Sequence, residues 1–341
     1  MNNARQNQYN SIRSRVGNTP LHRIRHIKVP NGNRIWAKLE FLNPTESAFD
    51  RVYPGLFEAA ELAGHIAPGV NPVIECSTGN AGASFAWTAR ELGYESHVII
   101  HEDSPFPRIE QIRRLGAHVI LSPAGEYGSG YVALLNSVLE ENRRALGAET
   151  HGRLFAITKI VPEARDHHRG IVHEALAQLK STQLANGFSA FVAAVGSGDL
   201  ICGVSSEFRR LGHHVEVIGM ESKEMPTVSS LRAGRVLEAT PLPIPDLMLG
   251  VTGTNLPMNR LNINFDLIDD VEGVSVEEWK SMDARLVEEE GLAVGRTSAG
   301  SLAAALRVAE RVTNADILTI FFDPKWKYGD AFAPKFPELY A

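Results

Sequence analysis

Two short glycine-bearing stretches hold the residue types best placed for chemistry. Ser77-Thr78-Gly79-Asn80-Ala81-Gly82 follows an apolar run over residues 72–76 and precedes a helical period over 83–92 that Gly93 stops. A strand, a small-residue loop and a helix start in succession make an anion site, because unpaired backbone amides and the positive end of the helix dipole converge on the loop. The hydroxyls of Ser77 and Thr78 and the side-chain amide of Asn80 suit that site to a carboxylate. Gly196-Ser197-Gly198-Asp199 repeats the arrangement after an apolar strand over 190–195, and opens a helix over 200–211. Asp166-His167-His168 offers acid–base groups, but adjacent histidines in an extended loop face opposite ways, so at most one faces a given cleft. The spacing of these three matches no common ligand pattern, and no metal is expected. Cys76 and Cys202 also lack metal-ligand spacing and read as buried thiols.

The elements that must position these loops alternate short β-rich runs with helical periods, the grammar of parallel sheets flanked by helices. After the first loop come a strand over 96–101, a helix over 108–115 closed at Gly116, a strand over 118–121 and a long helix over 131–146. The second half reads as a helix over 170–179, strands over 190–195 and 215–221, helices over 275–290 and 301–312 and a last strand over 317–322. Residues 234–270 are rich in Pro, Gly and Asn and read mostly as loop with short strands. With 341 residues, 44% of them hydrophobic and 22% charged, the chain can bury the cores of two sub-domains. The net charge of −6, with no long run of one sign, gives no electrostatic footprint for nucleic acid or an acidic membrane. No apolar stretch reaches a bilayer span, and the polar start lacks a signal-peptide pattern, so a cytoplasmic protein is expected.

Several motifs in one order resemble the cysteine synthase, cystathionine synthase and threonine synthase group, fold-type II enzymes that depend on pyridoxal phosphate. They are Gly17-Asn18-Thr19-Pro20-Leu21, the strand Trp36-Ala37-Lys38-Leu39-Glu40, the stretch Asn43-Pro44-Thr45-Glu46-Ser47-Ala48-Phe49-Asp50-Arg51, the Ser77–Gly82 loop, Val195-Gly196-Ser197-Gly198, Gly250-Val251-Thr252-Gly253 and Gly295–Gly300. The resemblance covers roughly residues 17–328. It implies an α/β fold of two three-layer αβα domains with mostly parallel sheets, like the tryptophan synthase beta chain. It also implies a cleft between the domains, a smaller mobile domain over 39–152, a larger one from 15–38 plus 153–330, tails at 1–14 and 331–341, and a homodimer. By the same resemblance Ser77, Thr78, Gly79 and Asn80, with Gly250 and Thr252, bind the substrate, and Asn80 faces the cofactor's phenolic oxygen.

Three departures fall on positions that touch the cofactor in that group. Phe49 stands where the family has the lysine that forms the imine, and a phenyl ring has no amine. Asp199 and Leu200 follow Gly196-Ser197-Gly198 where the family continues Gly-Thr, which places a carboxylate beside a dianionic phosphate. Pro324 stands where a serine meets the pyridine nitrogen, and proline has neither hydroxyl nor amide hydrogen. Phe49, Gly196, Ser197, Gly198, Ser298 and Pro324 then read as a vestigial cofactor site with no cofactor expected. On that reading the cleft takes a small carboxylate or amino-acid-like ligand, with Lys159, Asp199 and His168 as acid–base groups for elimination, addition or cyclisation. Three readings stand beside it. Pyridoxal phosphate is retained on another lysine, Lys38 or Lys159; Phe49 is core filler in a decayed pseudoenzyme; or the cleft binds another protein's C-terminal carboxylate in a regulatory or scaffold role.

Overall fold

The computed structural model describes residues 2–123, 129–147, 149, 151–160, 164–185, 187–235, 248 and 262–329. The chain opens with α1 (Asn3–Arg13), the antiparallel pair β1 (Leu21–Arg23) and β2 (Arg34–Leu39), and α2 (Tyr53–Leu62). There follow β3 (Val73–Ser77), α3 (Asn80–Leu92), β4 (Ser96–His101), α4 (Phe106–Arg114), β5 (His118–Ser122), α5 (Ser129–Leu146), β6 (Phe155–Ala156) and α6 (Ile157–Ile160). The second half runs α7 (Gly170–Ser181), β7 (Ala190–Ala194), α8 (Asp199–Arg210), β8 (Glu216–Ser222), α9 (Thr227–Arg232), β9 (Asp270–Val274), α10 (Val276–Arg285), α11 (Arg296–Arg311) and β10 (Asp316–Phe321).

The strands form two sheets. One has the order β5-β4-β3-β6, parallel throughout; the other has the order β1-β2-β10-β7-β8-β9, parallel except at the β1–β2 edge. Helices cover both faces of each sheet. Trp279, Met282, Leu302 and Val308 of α10 and α11 pack on one side of the six-stranded sheet, and Ile171, Leu179, Cys202 and Phe208 of α7 and α8 on the other. Tyr9, Phe57, Phe85 and Ile112 of α1 to α4 cover one face of the four-stranded sheet, and Val132 and Leu135 of α5 the other. Burial on both faces explains why β7 reads as an unbroken apolar run and why β3 and β10, also buried at every position, are mostly apolar. Each fully buried side chain of this size contributes about 1.5 to 3 kcal/mol of hydrophobic stabilisation.

The sequence expectations differ from this fold in a few places. Residues 3–13, expected as tail, form α1, which the Asn2 side chain caps by accepting from the Arg5 amide. Only Tyr9 and Ile12 of α1 are buried, a stripe too narrow to stand out from a polar composition. The helix α2 also went unread, because Pro54 and Gly55 in its first turn look like turn residues. β9, paired with β8 at the sheet edge, begins at the last residue of the Pro/Gly-rich stretch, most of which, residues 236–247 and 249–261, lies outside the described residues. Among the described residues no helix is long and apolar enough to cross a membrane. Neither Cys76 nor Cys202 forms a disulfide, and both are buried.

Candidate functional site

The Ser77–Asn80 loop is the turn from β3 into α3, and its own side chains order it. Ser77 Oγ accepts from the Gly79 amide at 3.0 Å and the Gly82 amide at 2.7 Å. Gly79 has φ +140, and a Cβ there would lie 2.5 Å from Arg108 Cδ, so both the turn and the close approach of Arg108 require glycine. Arg108 Nη1 donates to the Thr78 carbonyl at 3.2 Å, bracing the loop from α4. Thr78 and Asn80 remain half-buried, within reach of a ligand.

Asn80 connects this loop to the segment after β10. Its Nδ2 donates to Asp323 Oδ2 at 2.7 Å, and Arg108 Nη2 donates to the same oxygen at 3.0 Å. Tyr328 donates its hydroxyl to the Asp323 carboxylate at 3.1 Å, and the Arg108 guanidinium lies 4.4 Å over the Tyr328 ring. Burial, then the Asp323 charge, pushes the Tyr328 hydroxyl well above its ordinary range. The adjoining Lys327 is fully buried. Its Nζ donates to Thr45 O at 2.6 Å, Glu46 O at 3.1 Å and Asn80 Oδ1 at 3.1 Å. Three segments therefore meet at one amine: the 43–51 stretch, the carboxylate loop and the turn after β10. Burial pushes the Lys327 ammonium down to about 8, against the opposing pull of Asp323 and Glu46.

In the 43–51 stretch, Asp50 accepts from the Thr45 amide and hydroxyl, both at 2.6 Å. Phe49 lies on the short 3-10 turn Ala48–Arg51 and is 39% exposed, so it is not core filler. The start of α8 shows why Asp199 is tolerated. Its carboxylate accepts from Ser197 Oγ at 2.7 Å and Asn262 Nδ2 at 2.8 Å, and sits in the first turn of a helix, where the dipole favours negative charge. Ser298 Oγ is buried and accepts from the Phe322 amide at 3.0 Å, beside the bridge from Val294 to Pro324.

Of the acid–base candidates, Asp199 opens α8 and His168 lies on a turn before α7. Asp166, His167 and His168 lie on a 3-10 turn, not an extended loop, and Asp166 pairs with Arg169 at 2.7 Å. His168 is buried, and burial with the nearby Arg51 cation pushes its ring down to about 3, so it is neutral and does not serve as an acid near neutrality. Lys159 belongs to α6, and Thr158 beside it donates to Glu75 at 2.9 Å. Lys38 is turned away from the carboxylate loop to Glu174 at 2.6 Å and Thr19 Oγ1 at 2.8 Å. Gly250 and Thr252 lie outside the described residues. Among the described residues no three metal-ligating side chains converge.

Lys327, Arg108 and Asp323 escaped sequence reasoning as site residues. The one available signal was a lysine between two aromatics, Trp326 and Tyr328, in a segment following a fully buried strand.

Two three-layer α/β units, with a carboxylate-type loop at the start of α3 and a second glycine turn at the start of α8, define the fold-type II architecture. The chain belongs to the family described as pyridoxal-phosphate dependent enzyme, whose pattern matches residues 12–323. It is 27% identical to cysteine synthase A of Escherichia coli over 310 residues, covering 89% of each chain. It is 28% identical to cysteine synthase B of Pseudomonas aeruginosa over 324 residues, covering 94% of this chain and 96% of that one. Its fold matches the crystal structure of a cysteine synthase from Entamoeba histolytica with a TM-score of 0.78 at 21% identity, over 94% of this chain and 89% of the other. It also matches O-ureido-L-serine synthase with a TM-score of 0.76 at 22% identity, over 97% and 98% of the two chains.

Family membership corrects the expectation that no cofactor is involved, since the family is described as pyridoxal-phosphate dependent. That expectation rested on Phe49, Asp199, Leu200 and Pro324 taken together, and the folded chain gathers other groups near these positions. A fully buried amine stands on uncharged acceptors at Lys327, and a helix N-terminus follows the glycine turn at α8. Asp323, an acceptor-rich carboxylate, precedes Pro324. Gly198, at φ +96 with its Cβ position 2.9 Å from Ile263 Cα, keeps the α8 turn free of side chains. These residues fit the cofactor, with the Asp199 carboxylate opposing its phosphate.

Proposed function

We propose that the chain is a pyridoxal-phosphate-dependent enzyme that carries out β-replacement or elimination on an amino-acid-like carboxylate, and that its cofactor is held by a lysine elsewhere than position 49. The observation that carries this reading is the intact Ser77–Asn80 loop, joined through Asn80 to a buried, desolvated amine. The relatives named cysteine synthase and O-ureido-L-serine synthase support a serine-derived substrate.

The substrate carboxylate is received by the Thr78 hydroxyl and the amides at the start of α3, while Ser77 and Arg108 hold that loop in shape. The glycine turn 196–198 and the amides opening α8 receive the cofactor's phosphate, with the Asp199 carboxylate drawn off to Ser197 and Asn262. The half-exposed Phe49 ring presents an apolar surface at the position of the family lysine. When bound, pyridoxal phosphate supplies an electron sink for the carbanion formed at the substrate's Cα. Lys159, and not the buried neutral His168, is assigned to proton handling on the substrate side.

The test is spectroscopic. Purified protein loaded with pyridoxal phosphate is expected to keep a visible absorption band through gel filtration, and O-acylated serines are expected to change that band. Thr78→Val and Asn80→Ala are expected to weaken the response to these substrates. A protein that retains no cofactor, and yields no lysine adduct after borohydride reduction, sinks the reading.

A further inference from the structure

We infer that Lys327 is the lysine that carries the cofactor, supplying from the turn after β10 the amine absent from the 43–51 stretch. This rests on the reading that the protein holds pyridoxal phosphate, and it names the residue that does so.

The lysines with described side chains divide sharply. Lys28, Lys180, Lys223 and Lys280 are exposed, and Lys325 is half-buried against Asp283 at 2.6 Å. Two are fully buried, Lys38 and Lys327. Lys38 is committed to an ion pair with Glu174, which also engages Arg51, so withdrawing that ammonium would strip a structural cluster of a cation. Among the described residues, the hydrogen-bond partners of Lys327 Nζ are uncharged oxygens, two backbone carbonyls and the Asn80 amide oxygen. An ammonium so placed has lost its water without a carboxylate as hydrogen-bond partner, and burial outweighs the pull of Asp323 and Glu46 and brings it down to about 8. A neutral amine is the nucleophile for a carbonyl, and desolvation is one of the ways a protein produces it.

Placement adds a second, independent argument. The Asn80 oxygen that accepts from Lys327 belongs to the first residue of α3, so the amine borders the loop assigned to the substrate carboxylate. The two carbonyls belong to Thr45 and Glu46, on the stretch that also bears Phe49. From the turn after β10, Lys327 thus contacts both the stretch that bears Phe49 and the first residue of α3.

The chemistry balances as a condensation. The neutral Nζ attacks the aldehyde carbon of pyridoxal phosphate, the carbon–nitrogen bond forms, the carbonyl oxygen departs as water with the two amine hydrogens, and a carbon–nitrogen double bond remains. No oxidant or reductant is consumed. Lys327 would give up its contacts with Thr45 O and Glu46 O to form the linkage.

The experiment reduces the cofactor-loaded full chain with sodium borohydride and maps the modified peptide by mass spectrometry. The adduct is expected on Lys327 at near-stoichiometric occupancy. Lys327→Arg and Lys327→Met are both expected to lose the visible band and the adduct, with circular dichroism reporting on folding. The wild-type map decides the matter even where a variant fails to fold. An adduct concentrated on Lys38 or Lys159 overturns the assignment to Lys327 and leaves the proposed function standing. Low, scattered labelling of exposed lysines with no retained band overturns both.

Discussion

Lys327 faces three uncharged oxygens, and its wider surroundings hold Asp323, Glu46 and Asp50 as acids and Arg108 as a second cation. Burial outweighs the acids, so the folded chain binds this proton less tightly than the unfolded chain does, at about 8 against 10.5. Because the unfolded state then holds more protons between those values, stability contributed at this site rises with pH across that window. The difference amounts to on the order of 3 kcal/mol for the full shift. Chemical denaturation from pH 7.5 to 10 should therefore show a rising stability in the wild type that is weaker in Lys327→Met; parallel profiles would mean that the ammonium is not desolvated as its position requires. Phe49, Asp199 and Pro324 could be read from the sequence because each falls inside a motif of fixed spacing. Lys327 could not, since its character comes from residues 45, 46 and 80, which no local pattern links to position 327.

The turn from β3 into α3 is a unit in which one hydroxyl and one glycine fix the geometry of the carboxylate loop. Ser77→Ala removes the acceptor of two buried amides and is expected to cost about 1 to 3 kcal/mol. Gly79→Ala should cost more, because it adds a strained backbone at φ +140 to a collision with Arg108, which also braces Thr78 and Asp323. Urea unfolding of the two variants checks the order; a Gly79→Ala protein as stable as wild type would mean that Arg108 does not press on this loop. This element was legible because an apolar run, small polar residues and a glycine-stopped helix each signal it independently. α1 and α2 were not, since the first buries only Tyr9 and Ile12 of its polar-seeming face, and the second starts on residues that elsewhere make turns. Their helical state is set by packing against the four-stranded sheet, which only tertiary structure supplies.

At the scale of the whole molecule, one buried charge cluster ties the layers of the two sheets together. Arg51, just before α2, pairs with Glu40 at the end of β2 and with Glu174 on α7, both at 2.7 Å, and Lys38 of β2 reaches Glu174 at 2.6 Å. Thr19 donates to Glu40 at 2.7 Å, and the neutral His168 ring lies near Arg51 and Glu40. Burial alone would raise Glu174, but hydrogen bonds from Arg51 and Lys38 prevail and hold its carboxyl at about 2; Glu40 is likewise lowered, by Arg51 against burial. A carboxyl depressed on folding contributes stability above its unfolded value, near 4.5, and loses that contribution as pH falls toward the folded value. Glu174→Gln should therefore be less stable than wild type at pH 7, by on the order of 2 kcal/mol once the partial exposure of Glu174 is allowed for. Roughly half of that gap should be gone by about pH 3, well before the folded carboxyl itself is fully protonated. Urea unfolding of both proteins at several pH values between 7 and 3 measures the gap directly. A constant gap would show that the Glu174 side chain acts through packing alone, and that Arg51 and Lys38 are held in place by Glu40 and Thr19 without it.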